Sequence, residues 1–217
     1  MIKLSPMMDV SAAIRDLPNT SEIHILSVEN ECKEVLLVLD QLVPGSIQVR
    51  TCNFGKNTKQ QLFEYKLDEE IIAEVSLATK VDKYLYEPNA AIMKSGAFKL
   101  IGKRFGFCKL HINTHLYTSN ELIPEFPGRI FEVTGQCGNS KNEFKDLSFR
   151  TPKANISTRN YPLSVEELRK KLKIRDGGEI YLFACTMNND QKVILETTKV
   201  TTQSTQSTQS TQSTQST

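Results

Sequence analysis

The sequence predicts an α/β segment followed by smaller α+β segments, and two observations indicate this class. Residues 1–54 alternate apolar, strand-like runs with helix-like runs, the order typical of a sheet packed against helices. Residues 153–197 read instead as a strand, a helix with a capping signature and a closing hairpin, which is an α+β order.

The first segment is predicted to hold three strands, at residues 2–4, 23–28 and 46–54. The run IHILSV at 23–28 is almost continuously apolar, which is typical of a strand covered on both faces. A short helix is expected to follow the first strand and to end at Leu17. A second helix is expected from Asn30, a good capping residue, to about Leu42, where Pro44-Gly45 would end it.

The middle of the chain is predicted to start a second structural unit. The polar residues 55–60 read as a linker, residues 62–65 are expected to open a new sheet, and the acidic residues 68–77 fit either helix or strand. Pro88 suits the first turn of a helix, where its missing N–H is not needed. That helix carries an apolar stripe at spacings of three and four, formed by Ala90, Met93, Ala97, Ile101 and Phe105.

The last part of the chain is predicted to be rich in strands, at residues 129–133, 153–159, 179–186 and 191–197, the last two as a hairpin. Residues 135–142, rich in Gly, Asn and Ser, are expected to be a loop. Ser164 and Glu167 form a capping box that starts a helix to about Ile174, and Gly177-Gly178 is expected to stop it. Residues 201–217, mostly exact Thr-Gln-Ser repeats, are expected to be a disordered tail.

Composition limits the classes of function. A content of 39% hydrophobic and 24% charged residues is typical of a soluble globular protein, and no apolar run reaches membrane-spanning length. The N-terminus lacks the layout of a signal peptide. Five cysteines lie far apart and never as C-x-x-C, which indicates reduced, mostly buried thiols in a cytoplasm and no disulfide or zinc framework. No G-x-G-x-x-G turn is present to cradle a nucleotide phosphate.

Charge is unevenly distributed along the chain. Residues 1–87 hold 9 Lys and Arg against 14 Asp and Glu, whereas residues 88–217 hold 18 against 11. An anionic partner is therefore expected to meet the second half. The alternatives are that the two halves neutralise each other across an interface or that the charges are only solvated.

Two groups of cations are candidates for phosphate contacts. The first falls in residues 88–120, which contain no acid, and comprises Lys94, Lys99, Lys103, Arg104 and Lys109. The second comprises Arg150, Lys153, Arg159, Arg169, Lys170, Lys171, Lys173 and Arg175. A solvated helix surface is the alternative for the first group, and complementing the helix macrodipole is an alternative for residues 169–171. Arg159 could stack on an unpaired base or anchor the next helix.

Catalytic and metal sites are weakly indicated. His111 and His115 have metal-like spacing, but the surrounding sequence favours a loop or strand and offers no third ligand, so no metal is expected. A Cys32–His24 nucleophile pair is rejected because neighbouring glutamates raise the pKa of a thiol. Tyr84, Tyr86 and Glu87 could flank a substrate nucleotide, although packing between modules is the favoured interpretation.

Five stretches carry a family resemblance: LYEPNAAIMKSGAFKL (85–100), NTHLYTS (113–119), FPGRIF (126–131), KANISTRNYPLSVEELRKKLKI (153–174) and DGGEIYLFA (176–184). In this order they resemble the C-terminal region of bacterial class I SAM-dependent methyltransferases that bear a THUMP-like domain. The stretch IKLSPMMDV (2–10) is similar to the strand that follows the active-site region in that family.

The resemblance implies three parts. Residues 1–54 would be the C-terminal strands and helices of a Rossmann-type methyltransferase sheet, 60–135 a ferredoxin-like module, and 150–200 a small THUMP-like α+β domain. The glycine-rich SAM-binding turn and the acidic-proline catalytic motif of the family have no matching positions here, so we assign no catalytic or cofactor-binding residue. SAM is the cofactor implied for the parent enzyme, and this chain, read as a fragment, is not expected to bind it alone.

The leading hypothesis is that the chain is the substrate-recognition part of a SAM-dependent methyltransferase that acts on RNA, either rRNA or tRNA. The residues expected to contact RNA are Lys94, Lys99, Lys103, Arg104, Lys109, Lys153, Arg159, Lys170 and Lys171. The alternative is a non-enzymatic RNA-binding or interaction module that pairs with a separately encoded methyltransferase half. We expect no membrane partner and a cytoplasmic location.

Overall fold

The computed structural model describes residues 1–40, 45–56 and 60–201, which form twelve strands and six helices. The strands are β1 (Ile2–Leu4), β2 (Thr20–Val28), β3 (Glu31–Leu39), β4 (Gln48–Phe54), β5 (Gln61–Lys66), β6 (Tyr84–Pro88), β7 (Cys108–His111), β8 (Thr114–Ser119), β9 (Gly128–Cys137), β10 (Lys153–Arg159), β11 (Arg175–Thr186) and β12 (Lys192–Lys199). The helices are α1 (Val10–Asp16), α2 (Leu67–Ile72), α3 (Ala90–Ser95), α4 (Leu100–Phe105), α5 (Lys141–Arg150) and α6 (Val165–Leu172). The repeat at 202–216, and with it most of the predicted tail 201–217, lies outside the described residues.

The first sheet has five strands in the order β1-β3-β2-β4-β5. It is mixed, because β2 and β4 run parallel whereas the other neighbours are antiparallel. The three strands predicted in this segment are confirmed in place. Strand β1 lies at one edge, where the described residues pair it only with β3.

The helix predicted from Asn30 to about Leu42 is wrong over its described residues, which form β3 in a hairpin with β2. Glu29 and Asn30 have φ values of 51° and 64°, the left-handed pair of a tight two-residue hairpin turn. Asn30 therefore turns the chain back on itself and caps no helix. Val35 and Leu37 are buried in alternation on one face, the period of a strand.

The expectation that residues 62–65 open a new sheet is also wrong. These residues belong to β5, which pairs antiparallel with β4 and completes the first sheet. Residues 55–60, of which 57–59 lie outside the described part, therefore connect two paired strands of one sheet. Helix α2 follows directly, so the ambiguous acidic segment 68–77 is helical as far as Ile72 and lies outside the named helices and strands beyond it.

The second sheet has seven strands in the order β10-β11-β12-β9-β6-β8-β7. Strands β10 and β11 run parallel and are joined through α6, whereas the other neighbours are antiparallel. The two ends of the sheet approach each other. Thr114 of β8 donates its hydroxyl to the carbonyl of Thr186 at the end of β11, at 2.8 Å.

The stretch after Tyr84-Leu85-Tyr86 departs from the predicted single helix. Pro88 is the last residue of β6 rather than a helical residue, and Asn89 caps α3 by accepting from the N–H of Ile92 at 3.1 Å. Gly96 adopts φ 81° and separates α3 from α4. The predicted stripe is therefore interrupted, although Ala97 and Ile101 are fully buried as expected.

Residues 135–142 are only partly a loop, because β9 continues to Cys137 and α5 begins at Lys141. Helix α5 was missed in the sequence although Ser140 and Glu143 form a complete capping box. The capping box of α6 is confirmed, but Lys173, with φ 55°, ends that helix. Gly177-Gly178 instead lie within β11, so their predicted role is wrong. The closing hairpin and strand 153–159 are confirmed.

Three apolar clusters hold the fold together. The first packs α3 and α4 between the first sheet and the start of the second, with Ile25, Leu37 and Ile92 completely buried. The second lies under α5 and α6. The third covers the opposite face of β11, because Phe183 points away from its neighbour Leu182. The junction between the two sheets is therefore a packed interface.

Candidate functional site

A cavity of about 420 Å³ lies where the first sheet, α3 and β10 meet. Its wall on the first sheet is formed by Asn30 and Cys32. The end of β6 contributes Glu87 and Pro88, and the last residue of β10 contributes Arg159. Helix α3 supplies the remaining wall with Ala90, Met93 and Lys94. We call this cavity the junction pocket.

A buried carboxylate lies at the base of the junction pocket. Glu87 is only 3% exposed, and two arginines bind it. Arg129 of β9 donates its Nε to Glu87 Oε2 at 2.7 Å, and Arg159 donates its Nη2 to Glu87 Oε1 at 2.6 Å. Because both carboxylate oxygens are paired, the buried negative charge is compensated. Glu87, Arg129 and Arg159 together keep an excess of positive charge, and Lys94 adds a further positive charge to the pocket.

The close approach of β6 and β9 at this point depends on Gly128. It pairs with Pro88 in the antiparallel ladder, next to the Glu87–Arg129 pair. A Cβ atom at position 128 would lie 2.1 Å from the carbonyl oxygen of Glu87, far inside van der Waals contact. Glycine therefore permits the strand spacing that brings Arg129 to Glu87.

Side-chain amides fix the walls of the pocket relative to each other. Asn30 receives a hydrogen bond from the N–H of Ala90 at 2.7 Å, while its own N–H donates to Asn53 Oδ1 at 3.1 Å. Asn53 donates to Gln61 Oε1 at 3.1 Å, and Gln61 donates to the carbonyl of Gly128 at 3.1 Å. These bonds connect the β2–β3 turn, β4, β5 and β9. The pocket is thus built from both sheets and is held by hydrogen bonds.

The first predicted cation group does not share one surface. Lys109 is buried, and its ammonium donates to the carbonyl of His111 at 3.0 Å and to that of Ile112. Burial lowers the pKa of Lys109 to about 8. Its position inside the fold removes Lys109 from any phosphate-binding surface.

Two further members of this group are bound to neighbouring elements. Lys99 donates its ammonium to the carbonyl of Ile71 at 2.9 Å. Arg104 pairs with Glu69 at 2.8 Å and stacks over the ring of Phe63 at 4.9 Å. Lys103 is exposed, whereas Lys94 lines the junction pocket. The group therefore splits between structural contacts, one exposed cation and the pocket.

Five exposed cations of the second group lie around the C-terminal end of α6: Lys153, Lys170, Lys171, Lys173 and Arg175. Lys153 and Arg175 are register partners at the start of the parallel pair β10–β11. Arg175 in turn follows shortly after Lys173, the C-cap of α6. We call these five residues the α6 corner.

Arg169 has a structural role beside this corner, because it pairs with Asp176 at 2.7 Å and its guanidinium reaches the carbonyl of Ala154. Arg159 is also separate from the corner. Arg159 is the last residue of β10 and Lys153 is the first. At the usual rise per residue of a strand, the backbones of these two residues are about 20 Å apart. The Tyr161 hydroxyl, two residues beyond Arg159, donates to Asn139 at 3.1 Å.

His115 is the unusual titratable group near the junction. Its ring stacks on Phe98 with centroids 3.7 Å apart, and its buried Nδ1 has no partner among the described residues. Burial, together with the positive charges of Lys109 and Arg159, lowers the pKa of His115 to about 4. The ring is therefore neutral at physiological pH.

His111 and His115 lie on either side of the β7–β8 turn rather than on a helix. The described residues contain no cluster of three or more His, Cys, Asp or Glu side chains that could hold a metal ion. All five cysteines are free, and Cys52, Cys137 and Cys185 are buried. No helix in the described ranges is long and apolar enough to cross a bilayer.

The sequence did not reveal that Arg129 pairs with Glu87, that Glu87 lies in a pocket or that Asn30 forms a hairpin turn. The sequence indicates Arg129 only as the start of a predicted strand and as part of FPGRIF, and it favours packing as the role of Glu87. Their pairing depends on the β6–β9 register, which no local pattern reveals. For Asn30 a local signal was present, because an Asn between two apolar strand-like runs is typical of a tight hairpin turn.

Comparisons with known proteins match two family models to the part of the chain that forms the second sheet. Residues 84–127 match the model of a ferredoxin-like domain, and residues 128–199 match a model described as THUMP domain-like. The two matches meet at the start of β9, so the seven-stranded sheet is shared between them. Glu87 and Arg159 therefore belong to different matched domains.

One solved structure is similar over most of the chain. It is a crystal structure of a "putative methyltransferase" from Porphyromonas gingivalis W83, with a TM-score of 0.85 and 36% sequence identity over 92% of this chain. The chain spans 50% of that relative's length. No curated protein matches the sequence. The chain contains a ferredoxin-like domain followed by a THUMP-like domain.

Proposed function

We propose that this chain is the C-terminal, substrate-recognition part of a SAM-dependent methyltransferase that acts on structured RNA such as rRNA or tRNA. The observation that carries the RNA assignment is the α6 corner, a compact group of exposed cations on the THUMP-like domain. Long cationic side chains around one point of the surface suit the phosphates of a folded RNA.

The helix macrodipole explains only some of the cations in the α6 corner, and the others favour a role in phosphate contact. The helix macrodipole accounts for Lys170 and Lys171 in the last turn, whereas Lys153 and Arg175 come from two strands outside the helix. The nearest acid along the strand, Asp176, is engaged by Arg169. The corner therefore presents a net positive charge to solvent.

The methyltransferase assignment is supported by the first sheet and by the solved relative. The edge strand β1 has three residues and, within the described part of the chain, pairs only with β3, so its other side can accept a further strand. We infer that the rest of a Rossmann-type catalytic sheet continues from this edge. In this proposal SAM supplies the methyl group, and we assign none of this chain's residues to SAM.

Salt-dependent binding of a structured RNA tests the proposal. Fluorescence anisotropy with a labelled tRNA or rRNA hairpin should show affinity that falls steeply as salt rises. The double variant Lys170→Glu/Lys171→Glu should weaken binding and lower the magnitude of the salt slope by about 2. A matched control is Lys56→Glu/Lys80→Glu, which reverses two exposed lysines elsewhere and should leave the slope near wild type. RNA affinity that is unchanged by the first variant, or insensitive to salt, would contradict the RNA assignment.

A further inference from the structure

We propose that the junction pocket binds one unpaired nucleotide of an RNA chain, with its phosphate at Lys94 and Arg159 and its base against Pro88 and Met93. This inference rests on the proposed RNA function and goes further by assigning a second, separate contact to the bound RNA. The pocket is about 20 Å from the α6 corner, along β10.

The polar end of the pocket is suited to a phosphate. Arg159 uses one N–H for Glu87 and one for the carbonyl of Thr158, so a guanidinium with five N–H groups retains donors for a ligand. Its side chain is 37% exposed, so those donors are accessible. Glu87 holds this guanidinium in place from the buried side, which reduces the conformational cost of binding an anion.

Lys94 faces the same space. It lines the pocket together with Cys32, where burial raises the pKa of the thiol and the positive charge of Lys94 partly opposes that rise. The single carboxylate of Glu87 is outnumbered by Arg129, Arg159 and Lys94. A phosphate would therefore enter a region with unbalanced positive charge, and the pairing would be charge-assisted.

The other walls of the pocket are apolar and suit the face of a base. Pro88, Ala90 and Met93 provide them, and the flexible thioether of Met93 can adapt to different bases. The volume of about 420 Å³ falls within the usual range for small-ligand sites, which is about 300–1,000 Å³. Recognition by stacking and phosphate contact is typical for single-stranded RNA.

The pocket is preformed rather than assembled by a ligand. Asn30 connects the β2–β3 turn to the first turn of α3 through the N–H of Ala90, and Arg159 is anchored on Glu87. A site composed of three elements fixed by hydrogen bonds can hold a nucleotide with little reordering.

Cys32 provides a local reporter for the test, because it lines the pocket and is half-buried. Cys108 is half-buried outside the pocket and serves as an internal control. The rates of alkylation of both thiols by iodoacetamide are measured by peptide mass spectrometry at mildly alkaline pH, since the thiolate reacts. The ligands are AMP, UMP, adenosine, inorganic phosphate and a short single-stranded RNA.

We expect the RNA and the monophosphates to slow alkylation of Cys32 at least about fivefold at saturation, with no change at Cys108. Adenosine and phosphate alone should protect less than AMP. Lys94→Gln, which changes a partly exposed side chain, should reduce protection without unfolding the protein. Arg159→Lys retains the charge that compensates Glu87 and should also reduce protection, because lysine lacks the planar fork.

The outcomes separate this inference from the proposed function. If Lys170→Glu/Lys171→Glu weakens RNA binding while AMP still protects Cys32, both sites are supported as independent. If RNA binds in a salt-dependent manner but no nucleotide or RNA protects Cys32, the pocket inference is overturned and the RNA function stands. If AMP protects Cys32 but RNA neither binds nor protects it, the pocket is a mononucleotide site and the inference as stated is also overturned.

Discussion

Arg159 Nη2 lies 2.6 Å from Glu87 Oε1 and thereby connects the THUMP-like domain to the ferredoxin-like domain. Glu87 is almost completely buried and binds Arg129 with its other oxygen. One carboxylate thus holds two guanidinium groups from two further strands. The same ion pairs therefore shape the junction pocket and stabilise the second sheet.

Removing the charge of Glu87 should destabilise the fold. Glu87→Gln leaves two arginines without a counter-ion, and breaking a buried pair costs about 3–5 kcal/mol. The arginine side chains are 31% and 37% exposed, so solvent screening reduces the expected loss to about 2–3 kcal/mol. Urea unfolding measures this loss.

Glu34→Gln is the matched control, because Glu34 pairs with Lys3 at the surface. It should cost less than about 1 kcal/mol. Equal losses for the two variants would mean that the Glu87 pairs have no special structural role.

Gly128→Ala should be poorly tolerated. The new Cβ would meet the carbonyl oxygen of Glu87 at 2.1 Å, so β6 and β9 must separate. We expect a loss of about 3 kcal/mol in the free energy of unfolding, the upper part of the range for overpacking. The position of Gly45 has open space around it, and Gly45→Ala should be nearly neutral in the same thermal or urea assay. A neutral Gly128→Ala would contradict the observed strand spacing.

His115 should make the fold less stable in mild acid. Its pKa is about 4 in the folded protein, against about 6.5 in an unfolded chain. The unfolded state therefore binds more protons between these values, so stability is complete above about pH 6.5 and is lost as pH falls toward 4. Allowing for partial solvent screening, the expected contribution is about 1–2 kcal/mol.

The variant His115→Phe tests this assignment, because it keeps a ring on Phe98 and removes the titration. Urea unfolding at pH 7 and at pH 4.5 should show a smaller loss for the variant than for the wild type. Carboxylates titrate in both proteins and cancel in the difference. The same pH dependence in both proteins would show that His115 is not the responsible group.

Lys109 and Lys103 should behave differently in RNA binding. Lys109→Met removes a buried ammonium and should leave RNA affinity within about twofold, whereas Lys103→Glu reverses an exposed charge in the acid-free stretch expected to contact RNA and should weaken it about threefold. Circular dichroism should first show that both variants are folded, and anisotropy then measures their RNA affinity. A large effect of Lys109→Met on affinity in a folded protein would argue that this side chain reaches solvent.

Two elements were predicted correctly from strong local signals in the sequence. The capping box at Ser164 and Glu167 located α6, and the turn at 188–190 located the closing hairpin. The hairpin turn at Glu29-Asn30 shows the opposite case. Asn is favoured both as a helix cap and in left-handed turns, so the interpretation depended on the following residues, in which Val35 and Leu37 alternate on one face.

The candidate site was less predictable than the fold because its contacts are non-local. Glu87 and Arg159 are 72 positions apart in the chain, and their meeting requires the strand order of the second sheet. Lysines in similar sequence contexts likewise differ in burial, since Lys109 is buried and Lys103 is exposed. The cluster at the α6 corner was predictable because a helix end and two strand starts place it locally.

Ultraviolet crosslinking of a structured RNA to the chain, followed by peptide mapping, tests the central claim most directly. Recognition of RNA by the THUMP-like domain predicts crosslinked peptides that cover residues 153–175, with crosslinking strongly reduced in Lys170→Glu/Lys171→Glu. Crosslinks confined to the first sheet, or an unchanged pattern in that variant, would contradict the claim.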